Sequence, residues 1–129
     1  MNRIMCPSTP FAQCEFAVSH EAPALARQFL RSTTCAEHNA HVVEDAVLLV
    51  SELVTNSVLH GGPPVVVAAE CDGAALRVRV RDGSPELPVP RSAGPDAEGG
   101  RGLDLVRRIS EEWGVEQTHD GKHVWFVIR

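Results

Sequence analysis

The sequence predicts an α+β fold, a two-layer sandwich of helices on a mainly antiparallel sheet, and three observations carry that prediction. Val43, Val47, Val50 and Val54 recur at helical spacing and form an apolar stripe that needs a core. The run Leu76-Arg-Val-Arg-Val-Arg-Asp82 alternates strictly, with Leu76, Val78 and Val80 on one face and Arg77, Arg79 and Arg81 on the other. Two pairs of strand-like runs, 65–70 with 75–82 and 113–118 with 122–128, are joined by tight turn signals, which favours antiparallel pairing.

Taken in order, residues 1–12 read as an unstructured lead, with Pro7 and Pro10 and no periodicity. A short strand is predicted around 14–18. A helix follows over 21–33, with Pro23 tolerated in its first turn and Leu25, Phe29 and Leu30 turned inward. The long helix is predicted over about 38–59 and stops before Gly61-Gly-Pro-Pro64. Residues 65–70 and 75–82 form a hairpin across Cys71-Asp-Gly-Ala74. Residues 83–99 show almost no regular pattern, and loops of that length in a compact domain are lids, binding loops or disorder. A helix over 103–112 and strands over 113–118 and 122–128 complete the chain, with Asp120-Gly121 at the last hairpin turn. No repeat or second domain is visible, so the expectation is one domain over 13–129 with a lid at about 84–98.

Several residues on this frame carry chemistry. Asp45, Glu52 and Asn56 fall opposite the valine stripe of the long helix. Glu52 and Asn56 lie one turn apart, so a carboxylate and an amide are neighbours that can share one metal-bound ligand, although a plain solvated face has the same spacing. Asp82 falls on the apolar face of its strand, where an inward carboxylate needs a hydrogen-bond partner. Ordinary Asp-Gly turn chemistry is the alternative there. Gly99-Gly-Arg-Gly102 precedes the pattern Leu103-Asp-Leu-Val-Arg-Arg-Ile-Ser110. Glycines there allow close backbone approach, a helix N-terminus offers unpaired N–H groups to an anion, and Arg101 adds a charged contact to phosphate.

Together these segments resemble the GHKL ATPase family. The order is an Glu-x-x-x-Asn helix, Asp-Gly after a strand, a long loop, then Gly-x-Gly-Leu opening a helix. Ser51-Glu-Leu-Val-Thr-Asn56, His60-Gly-Gly62, Gly99-Gly-Arg-Gly-Leu103, Trp113-Gly114 and Gly121-Lys-His-Val-Trp-Phe126 are similar to its RsbW-like anti-sigma-factor serine/threonine kinase branch. The resemblance spans roughly residues 13 to 129 and implies the Bergerat, histidine-kinase-like ATPase fold. It implies ATP and Mg²⁺ as cofactors, Glu52 as general base and Asn56 as the Mg²⁺ ligand. It implies Asp82 as acceptor for the adenine amino group beside Gly83, and Gly100, Arg101, Gly102 and Leu103 around the phosphates. The implied partners are a sigma factor and a STAS-type anti-sigma antagonist that receives the phosphoryl group, with homodimerisation also implied. A nucleotide-binding module that inhibits a partner without phosphotransfer is the alternative. The chain departs from the family at Asp82-Gly-Ser-Pro-Glu86, where the usual Asp-x-Gly-x-Gly glycines are out of register. His123 takes the place of a threonine found near adenine in such proteins.

Length and composition agree with a single small domain. The chain has 129 residues, 43% of them hydrophobic, enough for one core without staples. A net charge of −5 argues against a general nucleic-acid or membrane surface and is more compatible with a protein partner carrying a basic patch. No run approaches the roughly 18 apolar residues of a membrane span. Without a signal-peptide core in the first residues, a cytoplasmic location is expected. Cys6, Cys14, Cys35 and Cys71 have no paired zinc or redox spacing and read as reduced thiols. His38 and His41 beside Glu37, Glu44 and Asp45 read as a polar first helical turn rather than a metal site.

Overall fold

The computed structural model describes residues 11–34, 36–71, 75–84 and 101–129, with the side chains of residues 36–41, 101 and 102 excluded. In chain order the elements are β1 (Phe11–Phe16), α1 (Ala22–Thr33), α2 (Ala36–Asn56), β2 (Val65–Cys71), β3 (Leu76–Asp82), α3 (Arg101–Ile109), β4 (Glu112–Thr118) and β5 (Gly121–Ile128). A wider π turn over Ser57–Gly61 continues α2. The five strands form one sheet in the order β1-β2-β3-β5-β4, and every neighbouring pair is antiparallel.

One face of the sheet carries the core. Leu76, Val78 and Val80 of β3 are buried, as are Val65 and Val67 of β2 and Val124, Phe126 and Ile128 of β5. They meet Val47, Leu49, Val50, Leu53 and Val54 of α2, and Leu103 and Val106 of α3, in one cluster. The predicted α2 stripe is therefore a core face, widened by Leu49 and Leu53. Alternation along β3 holds throughout: Arg77 and Arg79 are exposed and Arg81 is half-buried. At the β4–β5 turn the Thr118 hydroxyl donates to Asp120 at 3.0 Å, and chiefly that bond holds the Asp120 carboxyl below the usual carboxylate range.

Four expectations need correction. Strand β1 starts at Phe11, so residues 11 and 12 belong to the sheet and not to a lead; the rest of that lead lies outside the described residues. The strand is an edge whose inner face, Ala12, Cys14 and Phe16, alternates with exposed Phe11, Gln13 and Glu15, and the apolar Phe11 on the outer face hides where the alternation starts. In α1, Leu25 is exposed, while Ala22, Ala26 and Leu30 are buried. Spacing of four residues puts Ala22 and Ala26 directly below Leu30 on one helix face, and Leu25 falls about 100° away from Ala26. The long helix ends as α-helix at Asn56 rather than near 59. Finally, α3 stops at Ile109 and β4 begins at Glu112, because the Glu111 N–H bonds to the Val127 carbonyl and draws the chain into the sheet. The 71–74 turn and most of the predicted lid lie outside the described residues.

Candidate nucleotide site

The end of α2 and the end of β3 converge, and what joins them is polar. Among the described residues only Thr34, Ser57, Asp82 and Lys122 are buried polar or charged side chains. Thr34 caps α1 by donating to the Leu30 carbonyl at 2.6 Å. The other three form one cluster around the Asp82 carboxylate. Lys122 Nζ donates to Oδ1 at 2.8 Å and to Oδ2 at 3.0 Å. The Ser57 hydroxyl donates to Oδ2 at 2.8 Å, and the Ser84 backbone N–H donates to Oδ1 at 3.0 Å. Asp82 is only 4% exposed and Lys122 9%. Both sequence-level readings of Asp82 hold at once: it faces inward from the strand, and it closes an Asp turn to the residue two positions on.

The register explains the cluster. Asp82 lies directly opposite Lys122 across the β3–β5 pair, so both side chains point toward the helices. His123, assigned above to the position near adenine, pairs with Arg81 and points to the other face, where its Nε2 lies 3.2 Å from Glu116. That assignment is corrected: the residue beside Asp82 is Lys122, one position earlier. Two-residue periodicity makes a one-residue offset decisive, since it exchanges the two faces of the sheet. The sequence did contain a signal, since Lys122 is the second residue of the final strand, which begins at Gly121, but its register against β3 is a tertiary fact.

The π turn brings Ser57 and Gly61 against Asp82. Such turns occur as single insertions in α-helices, frequently at functional sites. Gly61 has no room for a side chain, because a Cβ there would lie 2.5 Å from Asp82 Oδ2. Gly83 is as tightly placed: its N–H bonds to the Gly62 carbonyl at 2.9 Å, and a Cβ would overlap the Pro63 carbonyl oxygen. We expect Gly61→Ala to lower stability by about 1–3 kcal/mol through this overpacking, read as a drop in the urea midpoint with an unchanged slope.

Glu52 and Asn56 lie on the last two turns of α2, both half-buried, and the helix turn places them side by side. Asp45, on the same side, is exposed. Next to Glu52, Ser51 accepts a 2.7 Å hydrogen bond from Arg27 of α1, which ties the two helices together beside the site. Asn56 is the residue at which α2 widens into the π turn, so its amide stands one residue before Ser57. A neutral amide oxygen at a half-buried helix end suits Mg²⁺, which keeps several waters and takes its remaining ligands from phosphates.

Of the phosphate-side residues, Gly100 lies outside the described residues. Helix α3 begins at Arg101, so Gly102 and Leu103 stand in its first turn, where backbone N–H groups lack intrahelical partners. The Leu103 side chain is 2% exposed and belongs to the core, which leaves its backbone as the part available to a ligand.

Residues 16–128 match the histidine kinase-like ATPase domain family. The chain belongs to that family. ATP is thus the ligand class of the fold. An uncharacterized protein of Streptomyces coelicolor, SCO4941, is 35% identical over 79 residues, which cover 57% of this chain and 75% of that protein. The structure of the RsbU and RsbW domains of Rv1364c from Mycobacterium tuberculosis superposes with a TM-score of 0.70 at 23% identity, over 94% of this chain. At that identity the likeness speaks for the fold, and the chain spans only 32% of the length of that structure's chain. Among the described residues no helix is long and apolar enough to cross a membrane. Of the cysteines, Cys14 is a half-buried free thiol and Cys71 is buried in the core, while Cys6 and Cys35 lie outside the described residues.

Proposed function

We propose that this chain is a Mg-ATP-dependent regulator of the RsbW-like kind, which binds a sigma factor and phosphorylates a serine or threonine of a STAS-type antagonist. The observation that carries this reading is the convergence of Glu52 and Asn56, at the end of α2, with buried Asp82 at the end of β3, bridged by Ser57. Glu52 accepts the proton of the acceptor hydroxyl as that oxygen forms its bond to the γ-phosphorus and the bond to the β–γ bridging oxygen breaks, leaving ADP. Asn56 would hold Mg²⁺, whose positive charge offsets the charge of the triphosphate. Asp82 and Gly83 would bind the base edge, and the first turn of α3, with Gly100, Arg101, Gly102 and Leu103, the phosphates. Phosphate on the antagonist adds negative charge to its docking surface and releases the kinase for sigma-factor capture.

A second reading is favoured by one observation. Every acceptor position of Asp82 already has a donor within the protein, which suits a module that inhibits a partner with weak nucleotide use and without phosphotransfer. Calorimetric titration with Mg-ATP and Mg-GTP, followed by transfer of labelled γ-phosphate to a STAS-domain protein from the same genome, separates the two readings. ATP-selective binding with transfer supports the kinase. ATP binding with no transfer to any such antagonist supports the inhibitor, and absence of ATP binding up to millimolar concentration sinks both.

A further inference from the structure

We propose that Lys122 sets the nucleotide affinity of this site by competing, within the protein, for the Asp82 acceptors that an adenine amino group uses. The inference rests on the ATP-binding reading above and adds to it how the base is admitted. An ionised carboxylate has about four lone-pair sites, two on each oxygen. On Oδ1 they are taken by Lys122 and the Ser84 N–H, and on Oδ2 by Lys122 and the Ser57 hydroxyl. The carboxylate is saturated, so an amino group can reach it only by exchange with one of these donors.

The four donors are not equally replaceable. Ser84 is held by the chain direction of the turn itself, and Ser57 by the π turn packed against Gly61. Lys122 is joined to Asp82 only through its flexible four-carbon stem, and it occupies one site on each oxygen. It is therefore the donor that an incoming base displaces. Lys122 brings a full positive charge to the carboxylate, whereas an exocyclic amine brings only a neutral donor to the same ionised acceptor, so the exchange is uphill and the nucleotide's remaining contacts have to drive it. A short neutral side chain at position 122 would leave Ser57 and Ser84 in place and two acceptors open.

Neutralising the Asp82 charge is the other role for Lys122, and it makes a different prediction. A purely structural lysine should lower stability when removed and leave ATP affinity unchanged or weaker. The competitor role requires ATP affinity to rise as the ion pair is lost.

The test is calorimetric titration of the full chain and its Lys122→Thr, Lys122→Met and Lys122→Arg variants with Mg-ATP, with folding checked by circular dichroism. Lys122→Thr and Lys122→Met should bind at least ~10-fold more tightly, equivalent to about 1.4 kcal/mol of ion-pair energy that no longer opposes the base. Lys122→Arg, which keeps the cation, should stay near the wild type. The gain should vanish when Asp82→Asn is added, because the amide supplies only one acceptor oxygen. A folded Lys122→Thr protein that binds no tighter than the wild type overturns the competitor role, provided the wild type binds ATP. If folded wild-type and Lys122→Thr proteins both ignore millimolar ATP, the ATP-binding reading has failed, and this inference with it. Should the neutral variants fail to fold, the wild type still decides: the Lys122 ammonium signal in nitrogen-edited NMR should change at saturating Mg-ATP as the pair opens. An unchanged signal at saturation refutes displacement.

Discussion

Replacing Asp82 with alanine is expected to abolish ATP binding and to destabilise the fold by about 3–5 kcal/mol, because it strands a buried lysine without its counter-ion. Lys122 is 9% exposed and its two charge-assisted bonds both go to Asp82. The Ser57 hydroxyl loses its acceptor in the same change. Chemical denaturation reads the stability loss, and calorimetry with Mg-ATP reads the loss of binding. The two effects separate in the double variant Asp82→Ala/Lys122→Met, since replacing both members of a buried pair by apolar groups is often neutral. That variant should recover most of the stability and none of the ATP affinity. If Asp82→Ala alone melted like the wild type, the ion pair would not be part of the folded state in solution.

Loss of Glu52, the proposed general base, has the second large effect. Glu52→Ala should retain ATP binding and reduce phosphotransfer by roughly 10²–10⁴-fold, the range a positioned acid–base group contributes. Glu52 is half-buried on a helix face rather than in the core, so the change should leave stability within about 0.5 kcal/mol. Glu52→Gln is the sharper probe, because it preserves shape and hydrogen bonding while removing the proton acceptor. Single-turnover transfer of γ-phosphate to a STAS-type antagonist is the measurement. Full transfer by Glu52→Ala would remove this residue from the chemistry.

The elements with clean periodicity were legible before any coordinates. The valines of α2 and the alternation of β3 both mark buried faces in the structure, and Asp82 points inward as its parity requires. Where periodicity is weak, the reading failed. Strand β1 is an edge whose outward Phe11 obscures the start of its alternation, and the small face of α1 hides Ala22 and Ala26 behind a more hydrophobic but exposed Leu25. Helix packing rewarded close approach by alanine there over the larger side chain. The ends of α2 and α3 moved as well: α2 widens into the π turn at Ser57, and a backbone bond from Glu111 to Val127 draws the chain into the sheet after α3.

The candidate site divides along the same line. Glu52 and Asn56 are four apart on one helix, so their adjacency is a property of local geometry and is set by sequence alone. The order of the motifs likewise suffices to place the chain in its ATPase family. The state of Asp82 is different. Its partners come from three separate segments, residue 57 at the end of a helix, residue 84 after its own strand, and residue 122 on a neighbouring strand forty positions away. Strand register alone determines that Lys122 and not His123 lies beside it, and register is a long-range pairing that no local pattern encodes. From its sequence this protein is an ATPase-fold domain with a carboxylate and an amide in place; only the tertiary structure decides that Asp82, the carboxylate proposed to bind the base, already has a cation of its own.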